Sequence, residues 1–451
     1  MERTKKNLKN SYNARKTRKK IVYNKTPKIT EINGYKILIF PSKTKVSLVE
    51  CIIFGGNYFE NKDNTGISHL LEHVLMDSWK KCKKNNCSKY WEGDGVSMNA
   101  HTDYLNNSYW IKGLDDIFDK MLEYIVEIVI NPVFSNKVIN KEKNAIENEL
   151  FEIINKPSWK LYNKINEILY TRRGLKYSNN YKRQLKVLKT LTKEKVINFY
   201  NNYYKKNNML FVITSNIKKD KIIKSFKKLT KNNVNNTIEI LKINDCFSYK
   251  KNIIFIPNKN AKNTQIVISF PLNIKKGDRD EFYIEILSKI LAGDLSSILL
   301  KILRDEEKLV YGISCKKETN FCGSVLSLNV STLNKNVKKV LEIIFRICKK
   351  YSRELIPTYN LTKFKRKQKM EFLELNSNSV KTSRNFYIYQ IFYQMDKKTP
   401  TITTFEQFMK RVNKLNRSKL RQMINKIFDT KKCLIVYQGK KMLKNFNINN
   451  F

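Results

Sequence analysis

Only three histidines occur in 451 residues, and two of them stand four apart around a glutamate, in His69-Leu-Leu-Glu72-His73. Histidine is the commonest metal ligand, and a helix brings positions i and i+4 onto one face. Glu72, three residues after His69, lies close enough to that face to hold a water beside a metal. Two nitrogens for a cation and a carboxylate for a proton are parts of a hydrolytic centre. Zinc would need about three protein ligands and an open position for water, so one ligand must come from elsewhere. With a single histidine left, His101, a carboxylate is the natural candidate. The downstream segment Glu142-Lys-Asn-Ala-Ile-Glu147-Asn-Glu149 is acidic, and Glu142 and Glu149 are two helical turns apart on a shared face.

These side chains need elements to carry them. Runs 29–32 and 35–40 flank Asn33-Gly34, a two-residue hairpin signal. A third strand, 46–54, ends at Gly55-Gly56. Gly66 precedes a helix starting near Ile67, in which Leu70, Leu71, Val74 and Leu75 form an apolar stripe and leave His69, Glu72 and His73 on the other side. A strand is expected over 96–102, continued by one over 108–112. Helices follow over 115–130 and about 140–154, then a helix over 193–203 and a strand over 209–214. The Lys- and Asn-rich stretch 227–236 reads as an interdomain linker. After it the order repeats: strands 253–256 and 265–270, a helix near 281–292, strands 312–315 and 324–330, a helix over 336–352 and a final strand over 433–437. The pattern predicts an α+β protein of two similar halves, each a mostly antiparallel sheet packed with helices. The second-half helix that would match the histidine-bearing one has no histidine, so only one half can hold such a metal site.

Composition limits the alternatives. A length of 451 residues suggests two or more domains, and 41% hydrophobic content with 24 Tyr and 24 Phe excludes a disordered chain. No run approaches eighteen apolar residues, so no membrane span is expected, and the beginning lacks an apolar signal-peptide run. Residues 1–27 read as a basic, solvated tail; the first twenty hold nine Lys or Arg. The formal charge of +48 is spread along the chain and accompanies no nucleic-acid-binding motif, so it reads as a lysine-coated surface. The eight cysteines show no C-x-x-C pair. They are expected as free, buried thiols in an intracellular, reducing compartment, the cytoplasm before a mitochondrial or viral-factory location. Cys82-x4-Cys87 taken alone is a weak metal clip.

The order His-x-x-Glu-His is the inverted zinc-protease signature. Its setting, Gly55-Gly56 followed by Gly66-Ile-Ser-His69-Leu-Leu-Glu72-His73, resembles the pitrilysin (insulinase) family of zinc metalloproteases. The resemblance covers roughly residues 28–440. It implies one zinc per chain, bound by His69, His73 and a glutamate about 76 residues beyond the second histidine; 149 − 73 = 76 selects Glu149. It implies Glu72 as general base and Glu142 as the glutamate supporting the site. Asn99-Ala100-His101-Thr102 resembles the family's edge strand, with Asn99 and Ala100 pairing to an extended peptide substrate. His101 itself reads as a strand residue near the cleft, not a ligand. Arg304-Asp-Glu-Glu-Lys-Leu-Val-Tyr311 resembles the segment whose Arg and Tyr reach across a cleft enclosed by the two halves. Residues 28–225 would form the zinc-binding domain and 240–451 its counterpart without the motif. The length is that of half-sized members, which pair as homo- or heterodimers to close the cleft. The expected activity is zinc-dependent endopeptidase; a non-catalytic subunit of the same fold, or a basic nucleic-acid-associated protein, are the other readings.

Overall fold

The computed structural model describes residues 28–82, 86–171, 173–231, 247–320, 323–378, 387–388, 390–392, 394 and 402–448. The expected basic tail, half of the expected linker (232–236), Cys246 and Cys322 lie outside the described residues; the first three residues of that stretch, 227–229, end a helix and are not linker.

The first sheet contains β1 (Thr30–Ile32), β2 (Tyr35–Pro41), β3 (Val46–Ile53), β4 (Ser97–Thr102), β5 (Asn107–Leu114) and β6 (Met209–Ser215) in the order β1-β2-β6-β3-β5-β4. Asn33 and Gly34 both have positive φ, 51° and 82°, which is the two-residue turn that joins twisted strands without splaying them. The second sheet contains β7 (Asn252–Pro257), β8 (Thr264–Leu272), β9 (Val310–Asn320), β10 (Gly323–Thr332) and β11 (Leu434–Gly439) in the order β7-β11-β8-β10-β9. Apart from β1, the two orders superpose strand for strand. Each has one parallel pair, β2 with β6 and β7 with β11, and is otherwise antiparallel. The duplication expected from the element order is therefore present in the topology itself.

In the first half the longer helices are α1 (Ile67–Met76), α2 (Phe118–Ile130), α3 (Asn136–Asn155), α4 (Ser158–Leu169), α5 (Tyr181–Thr190), α6 (Lys193–Tyr203) and α7 (Lys219–Leu229). The second half adds α8 (Glu281–Ala292), α9 (Val337–Arg353), α10 (Thr358–Asn378), α11 (Phe405–Asn413) and α12 (Arg417–Ile427). Helix α8 stands between β8 and β9 as α1 stands between β3 and β4. Alternation along the strands divides the first sheet into two apolar faces. Ile37, Val49, Cys51, Ile53, Phe211 and Ile213 bury against α1, α2 and their neighbours. Leu38, Phe40, Ile52, Leu210 and Val212 face the other way, into a core continuous with that of the second half through Leu161, Ile165 and Leu169 of α4. Phe54 and Phe392 meet there with ring centroids 5.3 Å apart.

One expectation is corrected. Cys82 and Cys87 form a disulfide, so the cysteines are not all free thiols. The two sulfurs come together because Trp79, Trp91 and Tyr124 fold the segment after α1 back on itself, with the indoles of Trp79 and Trp91 stacked at 5.9 Å. Disulfides persist in oxidising surroundings, so cysteine usage does not argue for a reducing compartment. Cys51, Cys348 and Cys433 are buried free thiols and Cys315 a half-buried one. Among the described residues no helix is long and apolar enough to cross a membrane.

Candidate metal centre

Helix α1 presents two different faces. Ile67, Leu70, Leu71, Val74 and Leu75 are at most 1% exposed and fix the helix against the sheet. The opposite side carries His69 and His73, one turn apart. The chain enters α1 through Gly66 at φ +90°, a left-handed conformation that side chains resist. Buried Glu60 holds this entrance. Its carboxylate accepts the backbone N–H of Gly66 (2.9 Å) and Ser68 (3.0 Å) and the Ser68 hydroxyl. A carboxylate at a helix N-terminus satisfies otherwise unpaired N–H groups and opposes the helix dipole. Sequence reasoning missed Glu60; an acid six residues before the glycine, with Asp63 between them, carries little signal.

Helix α3 packs beside α1 and brings two glutamates to the histidines in different ways. Glu142 is buried and its Oε2 accepts a hydrogen bond from His73 Nδ1 at 3.1 Å. That bond fixes the tautomer and leaves the Nε2 lone pair of His73 directed at His69, with the two Nε2 atoms 3.2 Å apart. Glu149 is half exposed and its oxygens lie 3.6 Å from His69 Nε2 and 3.8 Å from His73 Nε2. One ligand atom from each of His69, His73 and Glu149 lies within 4.8 Å of the others. Metal bonds of 2.0–2.1 Å in a tetrahedron place ligands about 3.3 Å apart along each edge. The two Nε2 atoms meet that spacing at 3.2 Å, and Glu149 approaches them through different oxygens, Oε2 toward His69 and Oε1 toward His73, so two imidazoles and one carboxylate form a donor set that fits the chemistry of zinc.

The electrostatics suit a cation. Burial, with His73 and His101 nearby, pushes His69 down to about 4, so its imidazole is neutral and able to donate a lone pair at pH 7. For His73 burial acts in the same direction, but the hydrogen bond to Glu142 and the charges of Glu72, Glu149 and Glu142 outweigh it and hold the pKa raised. Glu142 is the reverse: burial opposes its ionisation, and the hydrogen bonds from His73 and Lys141 overcome it and keep its carboxyl below the ordinary value.

Glu72 is buried between α1 and β4. Burial raises its pKa, and the Thr102 hydroxyl, which donates to its Oε2 at 2.5 Å, restrains that rise. Asn107 in turn donates to Thr102 Oγ1 (2.9 Å) and to the Ser68 carbonyl (3.0 Å), which locks β4, β5 and α1 together at this point. Glu72 is thus held through Oε2.

Asn99, Ala100 and His101 lie on β4, which among the described residues pairs only with β5 and ends the sheet. The Asn99 side chain accepts the N–H of Ala100 at 2.9 Å. His101 is exposed on this strand and stands outside the ligand cluster. Arg304 and Tyr311 are brought to each other, the guanidinium 5.8 Å from the ring centroid. Tyr311 is 91% exposed. Among the described residues no hydrogen bond, ion pair or ring contact joins this pair to the histidines.

Comparison with known proteins places this geometry in a class. Residues 37–180 match the family model described as insulinase (peptidase family M16), and residues 190–367 match the model described as the peptidase M16 inactive domain. A Rickettsia felis protein described as an uncharacterized zinc protease is 24% identical over 333 residues, spanning 70% of this chain and 74% of that protein. The mitochondrial-processing peptidase subunit beta of Caenorhabditis elegans is 20% identical over 196 residues, 44% of this chain and 42% of that protein. A crystal structure of a protease from Helicobacter pylori superposes with a TM-score of 0.82 at 18% identity, over 92% of this chain and 99% of that one. At such identity the likeness speaks for the fold alone. Fold and donor set together define a two-sheet protein of the metallopeptidase type. The chain belongs to the insulinase family of peptidases, M16.

Proposed function

We propose that this protein is a zinc-dependent endopeptidase that cleaves extended peptides or unfolded segments. The observation that carries the reading is the convergence of His69, His73 and Glu149 one side chain away from buried Glu72. Zinc held by those three residues, one per chain, would supply a Lewis acid that polarises a peptide carbonyl and acidifies water. Glu72 takes the proton of the attacking water at Oε1 and returns it to the leaving amine. Glu142 keeps His73 in the tautomer that presents Nε2. The open edge of β4, at Asn99 and Ala100, is suited to accept the substrate as an added strand, whose backbone then lies along the site in register. Arg304 and Tyr311 are suited to stabilise the oxyanion when the second half approaches. Residues 28–225 would be the catalytic domain and 240–451 the domain that closes over it, with a second chain completing the enclosure. An intact donor set counts against a purely structural subunit.

The test is purified full-length protein incubated with a diverse peptide mixture, read by mass spectrometry, with metal content measured in parallel. One zinc per chain is expected, and cleavage should stop with a chelator and return when zinc is restored. Cleavage indifferent to the chelator, or a chain without stoichiometric zinc, would overturn the reading.

Thr102 provides a second check. Valine at this position keeps the shape and removes the hydroxyl that holds Glu72. Hydrogen bonds to charged groups contribute about 1.5–3 kcal/mol, so Thr102→Val should lower kcat about 10- to 100-fold with zinc content unchanged.

A further inference from the structure

The support behind His73 continues beyond Glu142. Glu142 Oε1 accepts from Lys141 Nζ at 3.0 Å, and the same ammonium reaches Asp77 Oδ2 at 2.5 Å. Asp77 is the residue that ends α1, and its Oδ1 accepts the backbone N–H of Cys87 at 2.9 Å. Cys87 is the residue bonded to Cys82. The contacts therefore run from the histidine, through three charged side chains, to a disulfide packed behind the same helix.

The charges make this more than a list of contacts. The side chains of Asp77 and Glu142 are only 11% and 9% exposed, and Lys141 is shared between them. Two carboxylates with so little water need that shared cation. Without it like charges repel, and the partner free to move is the one not fixed by the backbone. Asp77 is fixed at its other oxygen by the Cys87 N–H, and the disulfide restrains where that N–H points. Both cysteines are buried, in the same apolar cluster as Trp79 and Trp91.

We infer that Asp77 and Lys141 are positioning residues for His73, anchored by the Cys82–Cys87 disulfide, so that the thiol–disulfide state of this pair sets the metal affinity of the site. The inference rests on the peptidase reading only in taking His73 as a ligand. Reduction by a dithiol breaks the S–S bond: two electrons and two protons pass to the Sγ atoms of Cys82 and Cys87, and the dithiol closes its own disulfide. The Cys87 N–H then loses its restraint. Asp77 turns toward solvent, Lys141 follows it, and Glu142 releases His73 Nδ1.

The experiment uses full-length protein stripped of metal, either oxidised or treated with dithiol and then desalted without air, so that no reductant competes for zinc. Zinc affinity is read against a chromophoric chelator, with the near-ultraviolet circular dichroism spectrum as the check on folding. Support residues behind metal ligands typically change affinity 10- to 100-fold. Reduced protein and the double variant Cys82→Ala/Cys87→Ala should each bind zinc about tenfold more weakly than oxidised protein, with the spectrum kept. Lys141→Met should be as weak when oxidised and should lose nothing further on reduction, while Lys141→Arg restores the difference. In peptide hydrolysis Lys141→Met at limiting zinc should lose kcat and keep KM. Affinity within twofold across the redox states, or losses that multiply when reduction and Lys141→Met are combined, would overturn the coupling while leaving the peptidase reading intact. A weaker affinity that appears only with a lost spectrum also overturns it. A chain that binds no zinc in either state overturns both.

Discussion

Glu72→Gln should abolish peptide hydrolysis and leave zinc in place. General acid–base groups typically contribute 10²- to 10⁴-fold, and in the proposed mechanism one carboxylate both takes a proton from water and gives it back, so a loss of about 10³-fold or more in kcat is expected. Glutamine occupies the same volume, and its amide oxygen can still accept the Thr102 hydroxyl that now sits 2.5 Å from Oε2. It has no site for a proton. Folding should not suffer, because burial disfavours the charge on Glu72, and a neutral isostere removes that cost. The ligands His69, His73 and Glu149 are untouched. Metal content and melting temperature should therefore match the parent while single-turnover cleavage falls to background. A variant that cleaves at the parent rate would show that another group moves the proton. A variant that loses both zinc and activity would mean that Glu72 acts on the metal shell instead of on water.

How far these residues could be read from sequence varies for physical reasons. Helix α1 was legible because periodicity, an initiating Gly66 and two rare histidines coincide within ten residues. The Asn33-Gly34 turn was legible because few dipeptides adopt two consecutive positive φ angles. Strand β9 was read as four residues, 312–315, yet spans Val310–Asn320. Its Lys316-Lys317-Glu318-Thr319 segment lacks apolar alternation because one side of an edge strand is not buried in the core, and pairing with β10 supplies the order that periodicity could not. Helix α3 begins at Asn136, four residues before the expected start, α4, α5 and α7 are absent from the sequence reading, and the end of α7 falls in the stretch expected as linker. Lysine and asparagine are too common in this chain for their spacing to stand out. The same abundance hid Lys141, one cation among 88 Lys and Arg. Cys82 and Cys87 carried no framework signal, since a single pair five residues apart is equally consistent with free thiols.

The two glutamates of α3 share a helical face, so spacing alone could not say which binds metal; distances separate them, and substitution should too. Glu142 touches His73 at Nδ1, the ring nitrogen turned away from His69, whereas Glu149 approaches both Nε2 atoms. A ring that donates from Nδ1 coordinates through Nε2, so the proposed site takes Glu149 as the ligand and Glu142 as the support. Zinc sites with four ligands bind with about 10–16 kcal/mol, roughly 3 kcal/mol for each ligand, or about 10²-fold in affinity. Glu149→Ala should therefore weaken zinc binding about 10²-fold and remove hydrolysis at ordinary zinc concentrations. Its side chain is 49% exposed, so the truncation leaves no cavity and the melting temperature of the metal-free chain should stay constant. Glu142→Gln keeps an acceptor for His73 and should weaken zinc binding less, about tenfold, within the range for support residues. Because Glu142 is buried and shares Lys141 with Asp77, this second variant should also shift the metal-free melting temperature. Competition with a chelator gives both affinities. If Glu142→Gln proves the more damaging to zinc and Glu149→Ala the milder, the ligand and its support have been assigned the wrong way round.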